Sequence, residues 1–219
     1  MPLKAVLFDM DGVIVDTEPL HRKAYFKMFD DLGIVVPEDL YTTFTGAATK
    51  KVCSVLIEKY GLNANINELA AIKRKYFKYF FYHDEDFALL PGVEDLIKNY
   101  FENGIKLVLA SSASMVTIDM VFEKFKLAKY FIGKISGDDL KESKPNPEIF
   151  LLAAETAQEP KENCVVIEDS TNGILAAHNA GIFCVAYKSE HSLHQHYEKA
   201  NLQISDFATI ETEKIRCYF

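Results

Sequence analysis

The chain has 219 residues, 49% of them hydrophobic and 26% charged, and carries a formal net charge of −8. That is enough apolar material for one large domain, or for a core with a smaller partner domain. The acidic balance excludes a general nucleic-acid binder, and no run of about 18 apolar residues could span a bilayer. An anionic small molecule stays open as a ligand, because a local basic focus can sit within an acidic surface.

Four apolar residues, Ala5-Val6-Leu7-Phe8, run into Asp9-Met10-Asp11-Gly12. A short apolar run ended by a glycine turn is the pattern of a central parallel strand. Asp9 and Asp11 then stand at its carboxyl end, on the same side of an extended chain. Like charges this close are tolerated where a cation is shared or one carboxyl is protonated, so the pair points to metal-assisted or acid–base chemistry. A strand that merely ends in an Asp-rich turn has the same pattern, and other parts of the chain must decide. Because the sequence enters this strand at once, no signal peptide is expected.

From about Glu18 to Phe87 the pattern is helical. Leu20, Ala24, Met28 and Leu32 recur every fourth residue before Gly33. Val52, Val55 and Leu56 form a second stripe that stops at Gly61, and Leu69, Ile72, Tyr76 and Phe80 form a third. The expected organisation is a core domain of residues 1–16 and 88–219 with a helical domain inserted at 17–87. The aromatic run from Lys75 to Tyr82 reads as a packed seam of that bundle.

Strand-like runs resume at Lys106–Ala110, Cys164–Ile167 and Phe183–Tyr187. Helical patterns separate them: Pro91 to Asn103, Met115 to Phe125, from Asn146-Pro147-Glu148 toward Thr156, and Asn172 to Ala180 before Gly181. This alternation predicts an α/β fold, a Rossmann-like parallel sheet with helices on both faces, plus the inserted helical bundle. Cys53, Cys164, Cys184 and Cys217 have no Cys-x-x-Cys spacing, and Cys164 and Cys184 lie in apolar runs. They read as thiols of a reducing, cytoplasmic compartment. His191, His194 and His196 read as surface residues.

Three further pieces fall at strand ends or beside them. Ser111-Ser112 follow the second strand, Glu168-Asp169 follow the strand at Cys164–Ile167, and Lys144 is held extended by Pro145 just before a helix. Asp9, Asp11, Ser111, Glu168 and Asp169 would therefore share the carboxyl edge of one parallel sheet, where open α/β folds bind ligands. Several carboxylates in one crevice call for a hard cation, and Mg²⁺ suits a site of few carboxylates plus substrate phosphate. A fixed lysine and a serine hydroxyl add a cradle for a dianionic phosphate, and Asp9 could serve as a nucleophile.

These four pieces in this order resemble the haloacid dehalogenase superfamily, in its β-phosphoglucomutase-like and sugar-phosphate phosphatase branch with a helical cap. The resemblance rests on Asp9-Met10-Asp11-Gly12-Val13, Asp16-Thr17-Glu18, Ser111, Ser143-Lys144-Pro145-Asn146-Pro147 and Glu168-Asp169-Ser170-Thr171-Asn172-Gly173. It implies a two-step phosphoryl transfer in which Asp9 attacks phosphorus and Asp11 is the proton shuttle. Mg²⁺ would be held by Asp9, the Asp11 carbonyl, Asp169 and Glu168. Asp9, Met10, Asp11, Ser111, Ser112 and Lys144 would hold the phosphate. An acid at Asp11 favours a phosphate ester over the substrates of family dehalogenases and phosphonatases.

His21 matches a cap histidine of the mutases, and Thr45, Gly46, Thr49, Lys50 and Lys75 are further cap candidates. Thr45-Gly46-Ala47-Ala48-Thr49 lacks the lysine and arginine that grip a second phosphate in mutases. The expected activity is therefore a Mg²⁺-dependent phosphatase on a small phosphorylated metabolite, a sugar phosphate. A β-phosphoglucomutase is the alternative, and a catalytically silent binding protein of this fold the third. No nucleic-acid or membrane partner is expected, and a monomer is favoured.

Overall fold

A computed structural model of the chain describes residues 2–44, 47–189 and 195–219. It forms two compact units, Thr17–Ala88 and the remainder, Met1–Asp16 with Leu89–Phe219.

The Thr17–Ala88 unit is wholly helical: α1 (Glu18–Leu32), α2 (Glu38–Thr42), α3 (Thr49–Tyr60) and α4 (Ile66–His83). Gly33 ends α1 in the left-handed conformation at φ 64° and returns its N–H to Phe29 and Asp30, which satisfies carbonyls the helix would orphan. Asn65 opens α4 by accepting the Asn67 N–H at 2.8 Å. The core of this unit is built from Met28, Phe29, Val52, Leu56 and Leu69.

The third stripe expected from the sequence is displaced. The buried face of α4 carries Leu69, Ala70, Lys73, Phe77 and Phe81, whereas Ile72 is 37% exposed. The true repeat runs through every fourth residue from Leu69, and a lysine fills its second place, so an apolar pattern slides to the neighbouring Ile72. The aromatic run is split likewise. Phe77 and Phe81 are buried, while Tyr79 and Tyr82 are 55% and 46% exposed.

The second unit holds six strands: β1 (Ala5–Phe8), β2 (Lys106–Ser111), β3 (Phe131–Ser136), β4 (Cys164–Glu168), β5 (Phe183–Tyr187) and β6 (Leu202–Ile204). They form one parallel sheet in the order β3-β2-β1-β4-β5-β6. Leu7 of β1 pairs with Val108 on one side and Val166 on the other. All four β1 residues are fully buried, which explains a continuous apolar run rather than an alternating one.

Helices α5 (Val93–Glu102), α6 (Met115–Lys124), α7 (Glu148–Ala157) and α8 (Thr171–Ala180) cover the sheet, and a short α9 (Thr212–Ile215) follows β6. On one face Leu7, Val108 and Val166 pack with Phe150 and Ala153 of α7 and Ile174 and Ala177 of α8. On the other, Phe8 meets Tyr100 of α5 edge-on at 6.3 Å, and Phe122 of α6 meets Phe131 at 5.2 Å. The Rossmann-like α/β class is thus observed.

Strands β3 and β6 are additions to the sequence reading. Each is an edge strand, and β3 carries Gly133 and Lys134 with a register shift against β2, so no apolar run announces it. Two functional residues also sit one place earlier in the fold than expected: Ser111 is the last residue of β2 and Glu168 the last of β4. Pro91 and Gly92 precede α5 rather than belonging to it, with Gly92 at φ 81°. Among the described residues no helix is long and apolar enough to cross a membrane.

Candidate active site

In this strand order the chain leaves β1 in opposite directions, toward β2 and β3 and toward β4, β5 and β6. The crevice outside the carboxyl ends of β1 and β4 is the switch point where open α/β sheets bind ligands. Asp9 follows β1 there, its N–H donating to Ile167 O at 3.0 Å, so the two strand ends are tied together. Met10 O then accepts the N–H groups of Val13, Ile14 and Val15 and turns the chain tightly after Asp11.

Lys144 organises the crevice. Its ammonium donates to Asp9 Oδ1, to Ala110 O at 3.0 Å and to Glu168 Oε1 at 2.7 Å, and it lies 4.8 Å from the Phe150 ring centroid. Lys144, Asp9 and Glu168 are all buried. Burial works against the ammonium, but Asp9 and Glu168 outweigh it and hold the Lys144 pKa above its ordinary value. The peptide bond between Lys144 and Pro145 is cis.

Glu168 accepts hydrogen bonds on both oxygens. Oε1 takes Lys144, and Oε2 accepts the N–H groups of Asp169 and Ser170, each at 2.9 Å, and the Ser170 hydroxyl at 3.0 Å. This carboxylate lies against the amino-terminal turn of α8, where helix dipole and free N–H groups favour negative charge. A Cβ on Gly173 would come within 1.7 Å of Oε1, so any larger residue there must move a carboxylate that Lys144, Asp169 and Ser170 hold.

Asp169 occupies the other side. A Cβ on Gly12 would stand 2.1 Å from Asp169 Oδ2, and Gly12 itself is at φ 82°, a conformation that favours glycine. Carboxylate oxygens of Asp9, Glu168 and Asp169 come within 4.8 Å of one another. Burial, with Glu168 and Asp169 nearby, pushes the Asp9 pKa well above its usual value even though Lys144 opposes the rise. Lys144 can neutralise only one of three carboxylates. The all-oxygen donor set and its deficit of positive charge fit a hard divalent cation.

At the end of β2, Ser111 is buried and its Oγ accepts the Ala113 N–H at 3.1 Å. That leaves the hydroxyl proton available to an anion. Ser112 is exposed. Asp9, Ser111, Lys144, Glu168 and Asp169 are thus gathered at one sheet edge, with Met10, Asp11 and Ser112 adjoining them in the chain.

The helical unit contains a second polar cluster. Lys73, 2% exposed, donates to His21 Nδ1, which fixes His21 as the neutral tautomer with its proton on Nε2. The His21 ring stacks on Phe77 at 4.3 Å, and the Lys73 ammonium lies 4.8 Å from the Tyr25 ring centroid. Burial and then the Lys73 charge push His21 down to about 3. Burial lowers Lys73 to about 8.

Among the cap candidates Lys75 is the lysine expected at the site. Lys75 is exposed, and Lys73 is the lysine beside His21. The signal was present: Leu69, Lys73 and Phe77 share one apolar face of α4. Of the loop candidates, Thr49 is half-buried and Lys50 exposed at the start of α3, while Thr45 and Gly46 lie outside the described residues. His191 and His194 also lie outside them; His196 is exposed, its N–H on Thr171 Oγ1 at 2.8 Å.

A family model described as haloacid dehalogenase-like hydrolase matches residues 3–181. The chain belongs to the haloacid dehalogenase-like hydrolases. It is 33% identical over 213 residues to a phosphorylated carbohydrates phosphatase of Thermotoga maritima, covering 97% of this chain and 96% of that one. Among solved structures it resembles a variant of CbbY from Rhodobacter sphaeroides in complex with xylulose-1,5-bisphosphate, with TM-score 0.80 and 27% identity over 95% and 96% of the two chains. It also resembles a β-phosphoglucomutase from Clostridium difficile, with TM-score 0.76 and 28% identity over 97% and 95%.

Proposed function

We propose that this phosphoric monoester hydrolase releases phosphate from a small phosphorylated sugar, with Asp9 as the nucleophile. The observation that carries the reading is the buried Lys144 ammonium joining Asp9 to Glu168, next to Asp169 and the Ser111 loop. The similarity to a phosphorylated carbohydrates phosphatase and to a structure holding xylulose-1,5-bisphosphate supports a sugar-phosphate substrate.

Asp9 and Asp169, with the Asp11 carbonyl and Glu168 at their side, would hold Mg²⁺. When bound, the ion offsets the charge of the carboxylates and of the phosphate and keeps Asp9 ionised. Ser111, the Ser112 N–H and Lys144 orient the phosphoryl group for in-line attack and stabilise charge on its oxygens. Asp9 Oδ forms a bond to phosphorus while the ester oxygen leaves with a proton from Asp11. Asp11 then takes a proton from water, which attacks the aspartyl phosphate and restores Asp9. Glu168 fixes Lys144 in place. The four cysteines are free, which suits a cytoplasmic enzyme.

The β-phosphoglucomutase neighbour keeps a mutase as the second reading. The uncharged Thr45–Thr49 stretch favours the phosphatase, because loss of a guanidinium removes bidentate phosphate binding. The test is phosphate release from a panel of sugar phosphates with and without Mg²⁺, for the natural chain and Asp9→Asn. Mg²⁺-dependent release abolished by Asp9→Asn is expected. Conversion of β-glucose 1-phosphate without net release would establish the mutase instead, and no turnover of any compound would leave a silent binding protein.

A further inference from the structure

The edge strand β3, absent from the motifs described so far, ends against the phosphate loop. Ser136 is its last residue, stands in register with Ser111 of β2 and is 2% exposed. Its Oγ donates to Ala113 O at 2.8 Å and accepts the Asp138 N–H at 3.2 Å. The direction is settled by chemistry: Asp138 N–H can only donate, so the hydroxyl proton is committed to Ala113 O.

Ala113 is thereby held at both ends. Its N–H lies on Ser111 Oγ at 3.1 Å and its carbonyl on Ser136. The next residue presses on the same loop: a Cβ on Gly137 would stand 3.1 Å from Ser112 Cα and 3.4 Å from Ser111 O. The neighbour is backbone rather than a flexible side chain, so a Cβ at Gly137 requires the Ser111–Ser112 backbone to shift by a few tenths of an ångström.

We propose that Ser136 and Gly137 are positioning residues for the phosphoryl group. Ser136 acts through Ala113 to aim the Ser111 hydroxyl, and Gly137 sets how closely β3 lies beneath the Ser111–Ser112 backbone. Their effect falls on the phosphate common to every substrate and not on the sugar. The inference rests on the phosphatase reading above.

The experiment measures inhibition by inorganic phosphate, steady-state kinetics on two different sugar phosphates, and thermal unfolding, for the natural chain, Ser136→Ala, Ser136→Thr and Gly137→Ala. Losing one hydrogen bond that orients the loop is expected to weaken phosphate inhibition about tenfold in Ser136→Ala. KM is expected to rise by the same factor for both sugars. Ser136→Thr keeps the hydroxyl and is expected within about twofold of the natural chain. Gly137→Ala is expected to weaken phosphate as Ser136→Ala does, which keeps the claim testable if one variant folds poorly. Unchanged phosphate inhibition in folded Ser136→Ala and Gly137→Ala overturns the inference and leaves the phosphatase reading intact. A Thr variant as impaired as the Ala variant also overturns it. A natural chain that neither releases nor binds phosphate removes the phosphatase reading, and this inference with it.

Discussion

The carboxylate of Glu168 lies where the side chain of residue 173 would begin: a Cβ on Gly173 would come within 1.7 Å of Glu168 Oε1. Inside a helix, glycine is ordinarily the poorer choice, and replacing it with alanine stabilises by about 1 kcal/mol. Here the sign is expected to reverse. Gly173→Ala must drive Glu168 from Lys144, so the variant is expected to lose about 1–3 kcal/mol in urea unfolding and most of its phosphatase activity. A more stable, fully active variant would show that Glu168 does not set the position of Lys144.

Gly12 and Gly33 separate two reasons for glycine. Both have positive φ, 82° and 64°, but only Gly12 faces an obstacle, Asp169 Oδ2 at 2.1 Å, while nothing lies within 4 Å of a Cβ on Gly33. Gly33→Ala is expected to cost about 1 kcal/mol in thermal unfolding and to keep activity. Gly12→Ala is expected to lose activity and Mg²⁺ binding together, read by turnover and by titration calorimetry. Equal behaviour of the two variants would remove the role given to Asp169.

Lys144 is paired with two buried carboxylates at once. Lys144→Met is expected to destabilise by about 3–5 kcal/mol, since removing one partner leaves buried charge unpaired. Adding Glu168→Gln removes one of the stranded charges, so the double variant is expected to be more stable than the sum of the singles, by double-mutant cycle. Strict additivity would mean the two groups are not coupled.

Much of this site was legible as residue types at strand ends. Asp9, Ser111 and Asp169 follow from apolar runs that stop, because a fully buried parallel strand writes its own boundary in the sequence. Lys144 was legible only through Pro145 and the helix after it. Ser136 was not, because β3 is an edge strand of mixed polarity and its serine acts through a backbone carbonyl, which leaves no compositional trace. Lys73 is obscured for the opposite reason: a charged residue on the buried face of α4 interrupts the apolar stripe, and Ile72 beside it offers an alternative repeat.

The buried Lys73 gives a pH signature. Burial holds it at about 8, against about 10.4 in an unfolded chain. Below pH 8 both states carry the proton and the folded state bears the whole penalty. Between about pH 8 and 10 the unfolded chain binds more protons, so stability rises with pH, by up to about 3 kcal/mol. His21, held at about 3 by burial and then by Lys73, has the same sign, with stability falling as pH drops from about 6.5 toward 3. The buried thiols of Cys53, Cys164 and Cys184, pushed up by burial, oppose this above about pH 8.5, so the Lys73 contribution is read as a difference: from pH 7 to 10 the urea midpoint of the natural chain is expected to gain on that of Lys73→Met. An unchanged slope in the variant would remove Lys73 as the source.

The most direct test of Asp9 as nucleophile is chemical trapping. An aspartyl phosphate is reduced by borohydride to homoserine, and mass spectrometry of peptides locates it. Quenching the enzyme during turnover of a sugar phosphate with Mg²⁺ is expected to give homoserine at position 9, and none in Asp9→Asn. Rapid phosphate release with no modification at Asp9, or with modification at another carboxylate, would contradict the mechanism.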